Sequence, residues 1–211
     1  MENIKVILFD VDGTLIDTDD LIINSYRELF RRFRPDYKLT REEEIGFLGP
    51  TLASMFPRYF KEDFQLLFQV YRNYSHEHMR EYSFVYDYAI EVIEHLKLKG
   101  YRLGVVTSRF KSSVMSVLEE FDLTKYFEII VSLDDVNTPK PDPEGINKCL
   151  SYFNVEPQEC LYIGDNLNDY KAAISANVKT ALVSWARGRD NSLLKPDILL
   201  KTYLDLKKIF N

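Results

Sequence analysis

Cysteine is scarce in this 211-residue chain: Cys149 and Cys160 are the only two, and both sit within or beside apolar segments. Residues so placed predict reduced, buried thiols in a cytoplasmic protein, and no neighbouring histidine is available to make either one a nucleophile. Long apolar runs are also missing, so no segment reaches membrane-spanning length. Met1 to Lys5 runs directly into a strand pattern without the zones of a secretory signal. Positive charge is in deficit, with 27 Lys and Arg against 33 Asp and Glu and a net charge of -6. That balance argues against nucleic acid or an anionic membrane as the partner. Internal repeats and low-complexity tracts are absent as well. What is present is ordinary for a soluble globular protein, 45% hydrophobic and 28% charged, and long enough for a substantial core that could carry an insertion.

The apolar run Val6-Ile7-Leu8-Phe9 predicts a buried strand, and it leads straight into Asp10-Val11-Asp12-Gly13-Thr14. Residues two apart in an extended chain face the same way, so Asp10 and Asp12 converge on one volume while Gly13 permits a sharp turn. Crowded carboxylates need a cation or a shared proton. A calcium loop would require another acidic or Asn position before the glycine and a preceding helix, and the sequence has neither.

After this motif, Leu21, Ile22, Tyr26, Leu29, Phe30 and Phe33 form an apolar stripe at helical spacing, with Thr18, Asp19 and Asp20 available as caps. A second helix is predicted from Thr40 to Phe47, opened by Thr40 and Glu43 as a capping box. A third carries Phe64, Leu67, Phe68, Tyr71 and Tyr74. Nothing between about Asp17 and Tyr82 alternates like a strand, so residues 17–83 are expected to be a helical insertion. From Asp87 onward helices alternate with short apolar runs, the pattern of βαβ units and a parallel sheet. Strands are predicted at 101–106, 127–131, 161–163, 180–183 and 197–200. The expected fold class is therefore α/β: a Rossmann-like parallel sheet core, residues 1–16 and 84–211, with a small all-helical domain inserted after the first strand.

Open α/β sheets bind ligands outside the carboxyl ends of their strands. Four polar sets fall at such ends or just beyond them: Asp10 with Asp12, Thr107 with Ser108, Lys140 in a loop stiffened by three prolines, and Asp165 with Asp169. Each has a plain structural reading alone, as a turn, a helix cap, a solvated lysine or a dipole-matched carboxylate. Their coincidence points to phosphoryl transfer. Asp10, Asp12 and Asp165 supply hard oxygen ligands for Mg²⁺. Lys140, the Thr107 hydroxyl and the Ser108 amide could hold phosphate oxygens. Asp10 would act as nucleophile and Asp12 as the group that protonates the leaving oxygen and deprotonates water. Arg109 is read as a surface arginine that could add positive charge near the phosphate.

Asp10-x-Asp12-Gly13-Thr14, Thr107-Ser108, Lys140-Pro141 and Gly164-Asp165-x-x-x-Asp169 together resemble the four ordered motifs of the haloacid dehalogenase superfamily of phosphohydrolases. The resemblance implies that Asp10 is the nucleophile and Asp12 the general acid/base. It further implies that magnesium is held by the Asp10 side chain, the Asp12 carbonyl and Asp165, with Asp169 supporting the metal shell. The helical insertion resembles the family's cap, which closes over the site and chooses the substrate. The Gly46 to Leu52 segment, with Gly49-Pro50 as a specificity loop, and the Leu133 to Glu144 run are most similar to phosphoglycolate-phosphatase-like enzymes and to inorganic pyrophosphatases of this fold. The expected activity is Mg²⁺-dependent hydrolysis of a small phosphorylated metabolite through an aspartyl-phosphate, phosphoglycolate first and pyrophosphate as the alternative, with no nucleic-acid, membrane or obligate protein partner. A sugar phosphatase or a phosphomutase would share the same core. A dehalogenase would not need Asp12, and a phosphonoacetaldehyde hydrolase would need a Schiff-base lysine, for which Lys38 and Lys61 are available. From other classes, a phospho-receiver leaves the insertion unexplained, and a catalytically dead binding module would not need the intact acid, hydroxyl and lysine set.

Overall fold

The computed structural model describes residues 3–189 and 191–211. The chain divides into two compact units, Met1–Asp17 with Val85–Asn211 and Thr18–Phe84. In chain order the strands are β1 (Val6–Phe9), β2 (Ile16–Asp17), β3 (Phe84–Val85), β4 (Arg102–Val106), β5 (Ile129–Val131), β6 (Cys160–Gly164), β7 (Lys179–Val183) and β8 (Ile198–Leu200). Six of them make one parallel sheet in the order β5-β4-β1-β6-β7-β8. β2 and β3 form a separate two-stranded sheet.

β1 lies at the sheet's centre, and its four residues are fully buried because both faces are covered. The sheet order reverses there: β4 pairs on one side and β6 on the other, which makes β1 the switch point where such sheets hold ligands. The register aligns Phe9 with Val105 and with Ile163. The residues that follow, Asp10, Thr107 and Asp165, therefore leave the sheet from the same edge. Around the sheet run α6 to α10: Ala89–Leu98, Lys111–Glu120, Glu144–Phe153, Leu167–Ser175 and Tyr203–Ile209. One core cluster joins Val6, Leu8, Ile146, Phe153, Tyr162 and Ala172. Both cysteines are free and buried within it.

The second unit holds α1 (Asp19–Phe33), α2 (Arg41–Gly46), α3 (Leu52–Tyr59), α4 (Phe64–Glu77) and α5 (Met79–Tyr82). Its core is aromatic, with Tyr26 stacked on Phe47 at 4.1 Å and Phe30 against Phe60 at 4.9 Å. The capping box on α2 forms as expected, Thr40 and Glu43 satisfying each other's backbone amides.

Some boundaries differ from expectation. β5 begins at Ile129 because a 3₁₀ turn, Thr124–Tyr126, takes the chain before it. α3 is not among the anticipated helices. Pro57 lies inside it and hides the pattern, while Thr51 caps it by accepting from the Ser54 amide. Among the described residues, no helix is long and apolar enough to cross a membrane.

Candidate active site

Lys140 is the hub of the site. Its ammonium donates to Asp169 Oδ1 at 2.6 Å, Tyr162 Oη at 3.0 Å and the Val106 carbonyl at 3.3 Å, and lies 2.9 Å from Asp10 Oδ1. It reaches this position from the proline loop, whose Lys140-Pro141 peptide is cis. The Glu144 carboxylate fixes that loop by accepting from the Asn137 and Thr138 amides, both at 2.9 Å.

Two glycines make room for the acids. A Cβ on Gly164 would stand 2.3 Å from the Asp169 Cβ, and one on Gly13, at φ +74°, would stand 2.3 Å from Asp165 Oδ2. Beyond Gly164, Asn166 caps α9, and the Asp169 carboxylate accepts from the Asp165 and Asn166 amides at 3.1 and 3.3 Å. Asp165 is fully buried, with Oδ1 accepting from the Asn166 side-chain Nδ2 at 2.6 Å and Oδ2 accepting from Arg189 Nε at 2.7 Å.

Asp10, Asp165 and Asp169 can each bring a carboxylate oxygen within 4.8 Å of the others. Three carboxylates thus face two cations, Lys140 and Arg189, all of them with largely buried side chains. Burial pushes Asp10 up to about 7, opposed by Lys140 and reinforced by Asp169 and Asp12. Burial likewise raises Asp165 well above the carboxylate range, against the pull of Arg189. Asp169 is lowered: burial works against the charge, and the Lys140 ammonium with donated hydrogen bonds outweighs it. Lys140 stays charged, because its two carboxylate neighbours outweigh the cost of burial. A buried set of hard oxygens short of positive charge suits a divalent cation.

Of the expected site residues, the structure gathers Asp10, Lys140, Asp165 and Asp169. Thr107 is buried at the end of β4, its hydroxyl accepting from the Arg109 amide at 3.2 Å, and Ser108 is half-buried beside it. Asp12 is differently placed. Its carboxylate is gripped by Arg109, with Nη2 at 2.6 Å and Nε at 2.7 Å. Arg109 is therefore no surface arginine, since its side chain is only 10% exposed. Tyr162, Glu144 and Arg189 also build the site without a sequence signal, apart from the spacing of Tyr162 two residues before Gly164.

The family model for haloacid dehalogenase-like hydrolases matches residues 7–183. Pyrophosphatase PpaX of Anoxybacillus flavithermus is 38% identical over 213 residues, covering 98% of this chain and 97% of its own. A Lactobacillus plantarum structure provisionally described as a phosphoglycolate phosphatase superposes with a TM-score of 0.88 at 22% identity, over 98% of this chain and 99% of its own. CbbY from Rhodobacter sphaeroides in complex with phosphate gives a TM-score of 0.82 at 26% identity, over 96% of both chains.

Proposed function

The chain belongs to the haloacid dehalogenase-like hydrolases, and from that premise we propose that it is a Mg²⁺-dependent phosphohydrolase whose first substrate is inorganic pyrophosphate. The observation that carries the reaction class is the buried cluster of Asp10, Asp165 and Asp169 around Lys140 at the switch point of the sheet. Pyrophosphate is favoured over phosphoglycolate because the PpaX relative matches nearly end to end at 38% identity.

Asp10 attacks the phosphorus, and the bond to the leaving oxygen breaks as Asp12 delivers a proton to it. Water then attacks the aspartyl-phosphate and returns a proton to Asp12, which frees phosphate and restores Asp10. Lys140 keeps Asp10 aligned and offsets charge on the transferring oxygens, together with the Thr107 hydroxyl and the Ser108 amide. Asp10, Asp165 and the Asp12 carbonyl would hold Mg²⁺, with Asp169 fixing Lys140 and the loop around them. When bound, the ion supplies the positive charge that neutralises phosphate oxygens and supports an ionised Asp10. The helical unit, Thr18–Phe84, acts as the cap that selects the substrate.

Phosphate release measured on pyrophosphate, phosphoglycolate, hexose phosphates and nucleotides, with Mg²⁺ and with chelator, tests the reading. Pyrophosphate should give the highest kcat/KM, chelator should abolish turnover, and Asp10→Asn should lose at least about 10³-fold. Turnover of Asp10→Asn near the wild-type rate would refute the nucleophile assignment.

A further inference from the structure

Arg189 has no part in the proposed chemistry, yet its guanidinium reaches the buried cluster of Asp10, Asp165 and Asp169. It lies in the loop after β7. Its Nε donates to Asp165 Oδ2 at 2.7 Å, its Nη1 donates to the Arg187 carbonyl at 2.5 Å, and its side chain is only 6% exposed. The same loop clasps Asp165 from a second direction, since Asn191 Nδ2 donates to the Asp165 carbonyl at 2.7 Å.

This contact conflicts with metal binding. Both Asp165 carboxylate oxygens already accept hydrogen bonds, one from Asn166 and one from Arg189. A divalent ion sharing that carboxylate places like charges against each other in a buried, poorly screened volume. A lysine could relieve such repulsion by losing its proton. A guanidinium cannot, so its only relief is to move. Two residues before Arg189, the half-exposed Arg187 side chain lies 3.3 Å from Asp17, and Gly188 between them adopts φ +70°, which a glycine takes up without strain. Without the metal, the guanidinium does useful work. It offsets the excess of carboxylates, three against Lys140 alone, and keeps them from repelling one another out of position.

We propose that Arg189 is an exchangeable counter-cation of the metal site: in the metal-free protein it neutralises Asp165, and the entering divalent ion displaces it, moving the loop that carries it. Metal affinity is then set by competition with an internal cation. The inference rests on the metal-site reading, and the experiment separates the two.

Trp185, the chain's single tryptophan, sits four residues before Arg189 in the same loop, packed between Tyr86 at 5.7 Å and Tyr203 at 5.0 Å with its buried Nε1 unpartnered. Its emission therefore reports on the loop. Mg²⁺ is titrated without substrate into metal-free wild type, Arg189→Gln and Arg189→Lys, with calorimetry and Trp185 fluorescence as readouts. The wild type should show an emission change with the calorimetric midpoint. Arg189→Gln should bind Mg²⁺ at least about tenfold more tightly, ~1.4 kcal/mol, with a smaller emission change, and Arg189→Lys, whose ammonium can give up its proton, should fall between Arg189→Gln and the wild type. Equal or weaker binding by Arg189→Gln, beside normal wild-type binding, overturns the exchange and leaves the metal site standing. Should Arg189→Gln not fold, wild-type binding with no change in Trp185 emission overturns it, and a change that saturates with binding supports it. Binding by Arg189→Gln alone supports it too, whereas no binding by either protein removes the metal reading and this inference with it.

Discussion

The Arg109 guanidinium holds the Asp12 carboxylate through three contacts, Nε at 2.9 Å from Oδ1 and 2.7 Å from Oδ2, and Nη2 at 2.6 Å from Oδ1. Its remaining nitrogen, Nη1, is tied to Ser113 Oγ on α7 at 3.0 Å. Asp12 is thereby aimed by a residue that is itself aimed by a helix. In the proposed reaction Asp12 exchanges a proton with the leaving oxygen and with water, so this grip must loosen whenever Asp12 carries that proton. Arg109→Ala is expected to lower kcat about tenfold to a hundredfold with little change in KM, since misplacing a proton-transfer group costs that much. Steady-state kinetics on the best substrate check this. A rise in KM at constant kcat would instead make Arg109 a substrate-binding residue.

Tyr162 offers a second way into the same network. Its hydroxyl accepts from Lys140 at 3.0 Å and lies 3.0 Å from Asp169 Oδ1 and 3.1 Å from the Val106 carbonyl. Tyr162→Phe removes one of the Lys140 partners in a fully buried setting, at a cost of about 1–2 kcal/mol. The expected result is a melting temperature lower by roughly 2–8 °C and a several-fold drop in kcat, both measured on the metal-loaded protein.

Much of this was legible in the sequence, and the reasons differ from residue to residue. Val6 to Phe9 reads as a central strand because both its faces are buried and it carries no alternation. The motifs at 10, 107, 140 and 165 are legible because strand ends in an α/β sheet share one edge, so a polar residue after each apolar run is automatically near the others. Arg109 and Arg189 escape for the opposite reason. Each reaches its carboxylate across the fold, over 97 and 24 residues respectively, and a long flexible side chain carries no periodicity that announces where its tip will lie. Pro57 hid α3 because proline is read as a breaker, although Thr51 and Ser54 form a cap six and three residues earlier.

Gly164 sits on a strand paired on both sides, by β1 and β7, with α9 starting three residues later. An added methyl would meet the Asp169 Cβ at 2.3 Å, its Cγ at 2.5 Å and Oδ2 at 2.7 Å. Neither neighbour can yield without moving the helix start. Gly164→Ala should cost about 1–3 kcal/mol and weaken Mg²⁺ binding. Gly46, at the end of α2, has nothing within 4 Å of its added Cβ. Gly46→Ala should therefore be neutral or stabilising by up to about 1 kcal/mol. Urea denaturation of the two variants decides it, and equal destabilisation would show that glycine content alone, not the close approach, is responsible.

Glu28 on α1 gives the helical unit a measurable acid dependence. Arg31 meets its carboxylate through Nε at 2.7 Å and Nη2 at 2.8 Å, and Arg32 adds Nε at 2.5 Å. The Arg31 hydrogen bonds foremost, with Arg32 reinforcing them against the cost of burial, hold the Glu28 carboxyl down to about 2. A carboxylate whose folded value is depressed contributes stability that is fully present above its unfolded value and is lost as pH falls through the folded one. The contribution should thus be constant near neutrality, decline from about pH 4.5 and be gone near pH 2. Both arginines are half or more exposed, so solvent screening limits the total to roughly 0.5–1 kcal/mol. Wild type should exceed Glu28→Gln by that amount in urea denaturation at pH 7, and by much less at pH 2.5 or in 1 M salt. A difference that persists unchanged in acid would mean that the glutamine loses a packing contact, with the charge playing no part.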